Sequence, residues 1–399
     1  MEIQGKYATA IAYADVIDEK AIGQIRRMCD YPFTQGSKIR IMPDVHAGKG
    51  CTIGTTMTVH DKAVPNVVGV DIGCGMYTVR LQEREVDLVR FDEAAHSIPS
   101  GMDVWDGCRE HFGLEALRCY RMLNRTGRLQ RSLGTLGGGN HFIEIERAQD
   151  GTLYLVIHSG SRNLGKQVAE YYQGLAIRLD EGCEDYLFHR ETLIAEYKAA
   201  GRQREIQAAL EGLKERKKPR TMPDDLCYLS GRYLEDYLAD VEACQRFARR
   251  NRALMAEILL AKAGLTAVGS FHTIHNYIDT QEMILRKGAI AAHKGEKVLI
   301  PINMRDGSIL AVGRGDPEWN FSAPHGAGRL MSRAAAREAL RMEDYEAAMR
   351  GIYTTCVAPA TIDEAPMAYK PLEDILDAIR ASVDVLEVMR PIYNFKATG

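Results

Sequence analysis

Two short polar segments follow apolar runs and carry side chains that could bind a cation. In VVGVDIGCGM, Asp71 and Cys74 lie three residues apart among glycines, and in MPDVHAGKG, Asp44 stands two residues before His46. A carboxylate and a thiolate in a glycine-bent turn can converge on one metal ion, whereas an unpaired Asp in the interior is costly. Taken alone, the first segment could also be an Asx turn beside an inert buried cysteine.

Histidines in three other segments could complete a metal site. They occur as His141 in LGTLGGGNHFIEIE, His158 in LYLVIHSGSRNLG, and His272 and His275 in FHTIHNYI. A lone histidine is more often structural than a ligand, but several together shift that balance. The sequence therefore predicts a mixed nitrogen, oxygen and sulfur set for one or two Mn, Fe, Co or Zn ions rather than Mg or Ca: Asp71, Cys74, His141, His158 and His275.

Phosphate groups are the other ligand that these segments suit. The three glycines before Asn140 expose backbone N–H groups, although the loop matches neither a P-loop nor a dinucleotide-binding fingerprint. Arg162, four residues after His158, can bind an anion bidentately. Closed structural zinc is disfavoured, because closely spaced cysteine pairs are absent.

A further histidine, His325 in NFSAPHGAGRLMSR, is a candidate nucleophile. We expect a helix over 330–341, so that His325 opens it and the helix dipole keeps the imidazole neutral near an incoming phosphate. Arg329 and Arg333 would then share one helical face. The alternative is a capping turn that carries a surface histidine.

The elements that must position these residues indicate a mixed α/β protein. Apolar runs bounded by Gly, Pro or Asp predict strands at 38–42, 64–70, 76–80, 153–157, 297–302 and 308–312. Helical periodicity predicts helices at about 164–180, 232–263, 329–349 and 371–390. No repeat or long linker divides the chain, so we expect one catalytic domain over residues 1–399.

Composition excludes several classes of protein. The chain has 399 residues, 46% hydrophobic and 26% charged, which is typical of a globular protein rather than a disordered or coiled-coil one. No leader or long apolar run is evident, and nine scattered cysteines suit a reducing compartment, so we expect a cytoplasmic protein without membrane contact. The sequence leaves the oligomeric state open, a monomer included.

Charge is nearly balanced overall but not locally. The net charge of −3 gives no global attraction to nucleic acid, so any nucleic-acid partner would need a local patch. Residues 201–220 hold seven basic and three acidic side chains, a local net of +4. We interpret this segment as part of a solvated helical hairpin inserted at about 180–230, with a basic arm for a polyanion as the alternative.

Taken together, the motifs resemble those of the RtcB-type RNA-splicing ligases. The resemblance spans nearly the whole chain, in order: MPDVHAGKG, VGVDIGCGM, GTLGGGNHFIEI, HSGSRNLG, HNYI, RKGA, HGAGRLMSR, DEAPMAYK and a terminal Lys396. It implies a single large α/β (mixed α+β) domain with a central β core and surrounding helices. It also implies a ligase dependent on GTP and two Mn²⁺ ions that joins RNA ending in a 2′,3′-cyclic phosphate or 3′-phosphate to RNA beginning with a 5′-hydroxyl.

The resemblance also implies roles for individual residues. His325 matches the histidine that becomes guanylylated and Asp44 the carboxylate that orients it, while Arg162 matches an RNA phosphate clamp. The five metal candidates match a two-manganese site. The nucleotide-binding positions that follow from the family pattern are Asn140, Phe142, Glu144, Gly326, Ala327, Tyr369 and Lys396. A carboxylate such as that of Glu144 can accept from guanine N1–H and N2–H together.

The sequence departs from the family pattern at two places near the nucleotide. Pro301 to Asp306 replace a PGSMG segment, and Ala323 with Pro324 replaces a cysteine or serine that often precedes HGAGR. These changes indicate a divergent branch. Two other functions use many of the same residues: a metal-dependent phosphohydrolase that only trims RNA ends, and a non-catalytic RNA-binding paralogue.

Overall fold

The protein folds as a mixture of α-helices and β-sheets, which confirms the predicted class. The computed structural model describes residues 1–14, 16–214 and 218–396, and for residues 184–189, 191, 213 and 214 it describes the backbone alone. No helix within these ranges is both long enough and apolar enough to span a bilayer.

Most of the strands lie in the first and last thirds of the chain. Within the described ranges they are β1 (Glu2–Gln4), β2 (Thr9–Ala12), β3 (Ile39–His46), β4 (Ile53–Thr58), β5 (Lys62–Ala63), β6 (Gly75–Leu81), β7 (Phe142–Arg147), β8 (Leu153–Ser159), β9 (Leu229–Ser230), β10 (Ala267–Ile274), β11 (Asn276–Asp279), β12 (Ile284–Lys287), β13 (Ala289–Ala291), β14 (Lys297–Asn303), β15 (Gly307–Gly313), β16 (Ser322–Pro324) and β17 (Val383–Lys396).

Helices surround the strands. Those of the described residues are α1 (Glu19–Cys29), α2 (Pro65–Val68), α3 (Leu88–His96), α4 (Thr126–Arg131), α5 (Arg162–Asp180), α6 (Glu184–Ala199), α7 (Ile206–Lys214), α8 (Gly231–Ala263), α9 (Arg333–Ala339), α10 (Met342–Ala348) and α11 (Leu372–Ile379). Short 3₁₀ turns occupy Pro32–Thr34, Leu114–Ala116, Tyr120–Met122, Gln203–Glu205, Pro317–Trp319, Pro359–Glu364 and Pro366–Ala368.

Two large sheets form the β core. The first has the strand order β1-β2-β3-β4-β12-β11, and the second has the order β10-β6-β8-β7-β17-β15-β14. Among the described strands, β13 also pairs with β16, and β5 with β9. Strands β3 and β8 are almost entirely buried, and β8 accordingly begins with the largely apolar run LYLVI rather than an alternating pattern.

Most of the predicted elements are present, but three predictions are wrong in part. Residues 64–70 hold the helix α2 instead of a strand, because Pro65 begins a helical turn that Gly69 ends at φ 103°. The helix predicted over 329–349 is divided into α9 and α10, with Leu340 and Arg341 extended between them. The helix predicted over 371–390 ends at Ile379, after which the chain enters β17.

The predicted helical hairpin is present in the backbone. Helices α6 and α7 contact each other, with the turn Gln203–Glu205 between them. Residues 215–217 of the basic segment lie outside the described residues. The boundaries of an insertion at 180–230 and the assignment of all 399 residues to one domain stay predictions.

Helix α8 connects the sheets to the polar segments. Its 33 residues, roughly 50 Å in length, contact α3, α5, β6, β8 and β11. The buried Asn251 accepts from the backbone N–H groups of Gly134 and Thr135 through Oδ1, and its Nδ2 donates to Ser159 Oγ and to the carbonyl of Thr135. One side chain thus joins the glycine-rich loop to the end of β8.

We predict that Asn251→Ala lowers the free energy of unfolding by about 2 kcal/mol or more, because it leaves several buried backbone groups without partners. Urea denaturation followed by circular dichroism measures this. The control is Asn163→Ala on the exposed face of α5, which should change stability by less than about 0.5 kcal/mol. Equal effects of the two substitutions would contradict the role given to Asn251.

Candidate active site

The Asp71–Cys74 turn brings a carboxylate and a thiol to the start of β6. The Cys74 N–H donates to the Asp71 carbonyl at 3.2 Å, and the Gly73 N–H donates to the Asn276 carbonyl at 2.7 Å. A Cβ on Gly75 would lie 2.2 Å from the Thr273 carbonyl oxygen, so only glycine lets the turn approach β10 this closely. The glycines predicted to bend this segment therefore also pack it.

Four of the predicted metal ligands converge on Cys74. Its Sγ lies 3.5 Å from His141 Nε2 and 3.3 Å from His158 Nε2. Asp71 Oδ2 lies 3.2 Å from His141 Nε2. Ligand atoms of two overlapping groups, Cys74 with His158 and His275, and Cys74 with Asp71 and His141, lie within 4.8 Å of one another. We call these five residues the metal cluster.

Hydrogen bonds around the cluster prepare its imidazoles to bind a metal. His141 Nδ1 lies 2.8 Å from the Leu136 carbonyl oxygen, and His158 Nδ1 lies 3.1 Å from that of Asn140. Since a carbonyl can only accept, each Nδ1 carries the proton and each Nε2 presents its lone pair toward Cys74. Asp71 Oδ1 is buried without a hydrogen-bond partner. These observations fit a divalent metal held by nitrogen, oxygen and sulfur.

Burial sets the protonation of the cluster. It lowers the pKa of His158 and of His275 well below the usual value, so both rings are neutral at physiological pH. Burial also raises the pKa of the Cys74 thiol, and the neighbouring Asp71 raises it further. A bound cation would have the opposite effect, because a thiol that coordinates a metal ion loses its proton.

His325 lies beside the metal cluster and is held by Asp44. Its Nδ1 is 2.7 Å from Asp44 Oδ2, and its ring centroid is 4.8 Å from that of His275. The Asp44 side chain is fully buried, whereas 20% of the His325 side chain is exposed. Because His325 Nδ1–H donates a hydrogen bond to Asp44, the proton stays on Nδ1 and the Nε2 atom is left with a free lone pair.

The environment expected for His325 is wrong in one respect. His325 follows β16, and the next helix, α9, begins only at Arg333, so no helix dipole acts on the imidazole. Gly328 of HGAGR instead brings the chain against β3, because a Cβ on it would lie 3.1 Å from the Asp44 carbonyl oxygen. The buried carboxylate, rather than a helix, orients the ring.

A cavity of about 340 Å³ joins His325 to the metal cluster. Of the predicted nucleotide-binding residues, those that line it are Asn140, Phe142, Gly326, Ala327, Tyr369 and Lys396. Asp71, Cys74, His158 and His275 line the same cavity. The structure therefore brings most of the predicted nucleotide and metal residues to one space.

Glu144 and Arg162, the residues predicted to contact guanine and RNA, do not line this cavity. Glu144 is buried on β7, where Asn394 Nδ2 donates to its Oε1, and burial raises its pKa to about 7. Arg162 begins α5 with φ 57° and donates from Nε to Thr135 Oγ1 at 2.9 Å and from Nη2 to the Gly101 carbonyl at 2.8 Å. Their contacts with guanine and RNA stay predictions.

The sequence analysis missed Glu364, which lines the cavity. Its carboxylate accepts from Tyr369 Oη at 2.7 Å, pairs with Lys396, and lies 2.7 Å from Arg333 Nη1 and 3.2 Å from Arg329 Nη1. Glu364 belongs to the motif DEAPMAYK, in which the family resemblance implies a role only for Tyr369. Three cations distant in sequence converge on this one carboxylate, and no local pattern reveals this.

His272 is not part of the metal cluster, although it stands three residues before His275. It belongs to β10, and its ring stacks on Tyr77 with centroids 4.1 Å apart. The sequence motif gives His46 no role of its own. In the structure it lines the cavity, and its Nδ1 is 3.0 Å from the Asp44 carbonyl oxygen.

Fold and site together define a mixed α+β protein with a metal-binding cluster beside a carboxylate-held histidine, an arrangement suited to metal-dependent group transfer. A family model described as tRNA-splicing ligase RtcB matches residues 24–126 and 116–397. This chain belongs to the RtcB family, which confirms the resemblance seen in the motifs.

Curated relatives agree with this assignment over nearly their whole length. RNA-splicing ligase RtcB of Escherichia coli (strain K12) is 31% identical, covering 89% of this chain and 88% of the relative. tRNA-splicing ligase RtcB of Aeropyrum pernix is 27% identical, covering 86% and 84%. RNA-splicing ligase RtcB of Mycobacterium tuberculosis is 28% identical, covering 86% and 92%.

We predict that Cys74→Ser at least halves the amount of Mn²⁺ retained by the protein, because Cys74 belongs to both overlapping ligand groups and serine is a poor thiolate substitute. Elemental mass spectrometry after equilibration and desalting measures the metal. The matched control is Cys244→Ser, which changes another buried thiol outside both groups. Equal metal content in the two variants would refute the placement of the cluster.

We also predict a pH-dependent effect of Glu364→Gln. Burial alone would raise the pKa of Glu364, but Lys396 and Arg333 outweigh it and lower the pKa to about 2. Since the unfolded value is about 4.3, the ionised carboxylate contributes stability above that pH and loses it as the pH falls toward 2, with a full contribution of about 3 kcal/mol.

Urea denaturation at pH 7, 5 and 3 tests this expectation. Glu364→Gln should be clearly less stable than the unsubstituted protein at pH 7, and the difference should shrink at pH 3. Glu338→Gln on the exposed face of α9 should have little effect throughout. A difference that does not vary with pH would show that the Glu364 charge is not stabilising.

Proposed function

We propose that this protein is an RNA ligase that joins a 2′,3′-cyclic phosphate or 3′-phosphate end to a 5′-hydroxyl end, with GTP and two Mn²⁺ ions as cofactors. Membership of the RtcB family and relatives named RNA-splicing or tRNA-splicing ligases support RNA ligation. The observation that carries the chemistry is the 2.7 Å contact between His325 Nδ1 and Asp44 Oδ2 in a cavity shared with the metal cluster.

The metal ions would be held by Asp71, Cys74, His141, His158 and His275, with the Cys74 sulfur in the position to serve both. When bound, two divalent ions supply positive charge that neutralises the reacting phosphates. The softer thiolate and imidazole donors support Mn²⁺ or a later transition metal over Mg²⁺. The carbonyls of Leu136 and Asn140 keep the His141 and His158 rings in the required orientation.

His325 is the proposed nucleophile toward GTP. Its Nε2 attacks the α-phosphorus, the bond from that phosphorus to the bridging oxygen breaks, and pyrophosphate leaves, so GMP stays on the ring as a phosphoramidate. The ring gains positive charge as the new bond forms. Asp44 accepts a hydrogen bond from Nδ1–H, and its negative charge stabilises the positive ring and fixes the direction of attack.

Two further steps complete the ligation. An oxygen of the RNA 3′-phosphate attacks the GMP phosphorus, and the bond to His325 Nε2 breaks. The 5′-hydroxyl of the second RNA then attacks the activated 3′-phosphate, which releases GMP and forms the phosphodiester. A 2′,3′-cyclic phosphate is first opened by water. We assign the RNA phosphate contact to Arg162, whose half-buried guanidinium packs against Gly137 of the glycine-rich loop.

The nucleotide would occupy the part of the cavity that lies between Phe142 and Tyr369. Asn140, Gly326 and Ala327 suit contacts with its phosphates, and Lys396 lies over the Phe142 ring, with Nζ 6.0 Å from the ring centroid. Glu144 stays our candidate for guanine recognition, because it lies on the same strand two residues after Phe142. Glu364 positions Lys396 and Tyr369 through direct hydrogen bonds.

Two alternatives use the same site differently. A phosphohydrolase that only trims RNA ends needs the metal cluster but not a carboxylate-held histidine, and a non-catalytic RNA-binding paralogue needs neither. The His325–Asp44 pair in the shared cavity therefore favours the ligase. We place the activity in the cytoplasm and assign it to one catalytic domain over residues 1–399.

We predict that His325→Ala abolishes both covalent labelling by GTP and ligation of a 3′-phosphate, while Mn²⁺ content stays at the level of the unsubstituted protein. Asp44→Asn should keep the metal and slow labelling on the order of 100-fold or more, because an amide cannot stabilise the charged ring. His111→Ala, which changes a mostly exposed histidine, is the control.

Labelled GTP, denaturing gels of samples stopped and run at alkaline pH, which preserves a phosphoramidate, and a ligation assay with a 3′-phosphate RNA give these measurements. Retention of ligation by His325→Ala at the rate of the His111→Ala control would exclude His325 as the nucleophile. Trimming of cyclic ends without any GMP labelling of the unsubstituted protein would favour the phosphohydrolase instead.

A further inference from the structure

A second cavity, of about 400 Å³, lies against helix α8. Its lining includes residues 272–274 and Tyr277, whereas His275 and Asn276, which stand between them in sequence, line the candidate active site. The two cavities thus use adjacent residues of one chain segment but are separate. We call the second one the α8 cleft, and its basic lining residues are Arg246, Arg249, Arg252, His272 and His293.

Arg252 is the most unusual of these residues, because its guanidinium is fully buried and only partly bonded. Its Nη1 donates to the carbonyls of Gly73 at 2.8 Å and Ser159 at 2.7 Å. Its Nε and Nη2 have no hydrogen-bond partner among the described residues. A guanidinium offers five N–H donors, and leaving several of them unmet in the interior is costly.

Two neighbours share this lack of partners. Arg249, one turn before Arg252 on α8, is exposed and makes no hydrogen bond or ion pair within the described part of the chain. Across the cleft, His272 has a buried Nδ1 atom that likewise finds no partner there. The sheet fixes the His272 ring, which stacks on Tyr77. Donors from a helix and from a facing strand therefore line one space.

The acidic residues of the cleft are already engaged. Glu242 lies 3.6 Å from Arg246, and Glu296 accepts from the His293 N–H at 3.0 Å. Asp279 accepts from two backbone N–H groups of the turn that follows it, at 3.0 and 3.1 Å. These contacts leave the positive charges of Arg249 and Arg252 without a matching carboxylate in the cleft.

We propose that the α8 cleft is a second anion-binding site, which takes a phosphate group between Arg249, Arg252 and His272. A phosphate presents several acceptor oxygens and matches the fork of a guanidinium. The site does not share residues with the proposed nucleotide cavity. Arg252 connects it to the metal cluster, because its Nη1 donates to the carbonyls of Gly73 and Ser159, the residues next to Cys74 and His158.

The phosphate could come from a small molecule or from an RNA backbone, and two probes distinguish these sources. One is inorganic phosphate, and the other is an RNA oligomer with hydroxyls at both ends. Calorimetric titration of each into the full-length protein gives an affinity. Arg249→Gln should weaken binding of at least one probe by about tenfold, the effect of losing a charge-assisted hydrogen bond.

Arg26→Gln, which changes an exposed arginine of α1 away from the cleft, is the matched control. Loss with inorganic phosphate alone identifies a small phosphate ligand, and loss with the RNA probe identifies the RNA backbone. Affinities for both probes that equal those of Arg26→Gln would overturn the proposal. GMP labelling of His325 should be the same in both variants, so this result is independent of the proposed ligation chemistry.

Discussion

The hydrogen bond between Asp44 and His325 is the constraint on which the site depends. It joins a buried strand of the first sheet to a glycine-rich segment 281 residues later in the chain. The irregular pairing of β3 with β4 between Ile41 and His46 occurs where Pro43 cannot donate, and Asp44 lies within that irregular segment. An uncompensated carboxylate at this depth would be costly, so the fold and the orientation of the His325 ring stabilise each other.

The metal cluster depends in the same way on groups behind it. Helix α8 supplies Asn251 and Arg252, which hold the glycine-rich loop and the backbone beside Cys74 and His158. Carbonyls of Leu136 and Asn140 then fix two imidazoles. Ligands from four separated segments meet at the cluster, and polar residues on the inner face of α8 hold the backbone next to several of them.

The sequence indicates which residues gather at the candidate site better than it predicts the elements around them. Asp71, Cys74 and the histidines were identified because residue type and glycine context are local features. The expectation that His325 opens a helix was wrong, because Gly328 lies against Asp44 of β3, a close approach that only tertiary structure reveals. Likewise 383–389 has helical periodicity but pairs with β15. Glu364 gains its role from Lys396 and two arginines distant in sequence.

The central claim is that His325 Nε2 carries GMP during the reaction. Mass spectrometry of protein treated with GTP and Mn²⁺, digested under conditions that preserve phosphoramidates, tests it most directly. The account predicts an added GMP on the peptide that spans residues 322–329, and on His325 within it. GMP found on a lysine such as Lys396, or no covalent GMP in a preparation that ligates RNA, would contradict it.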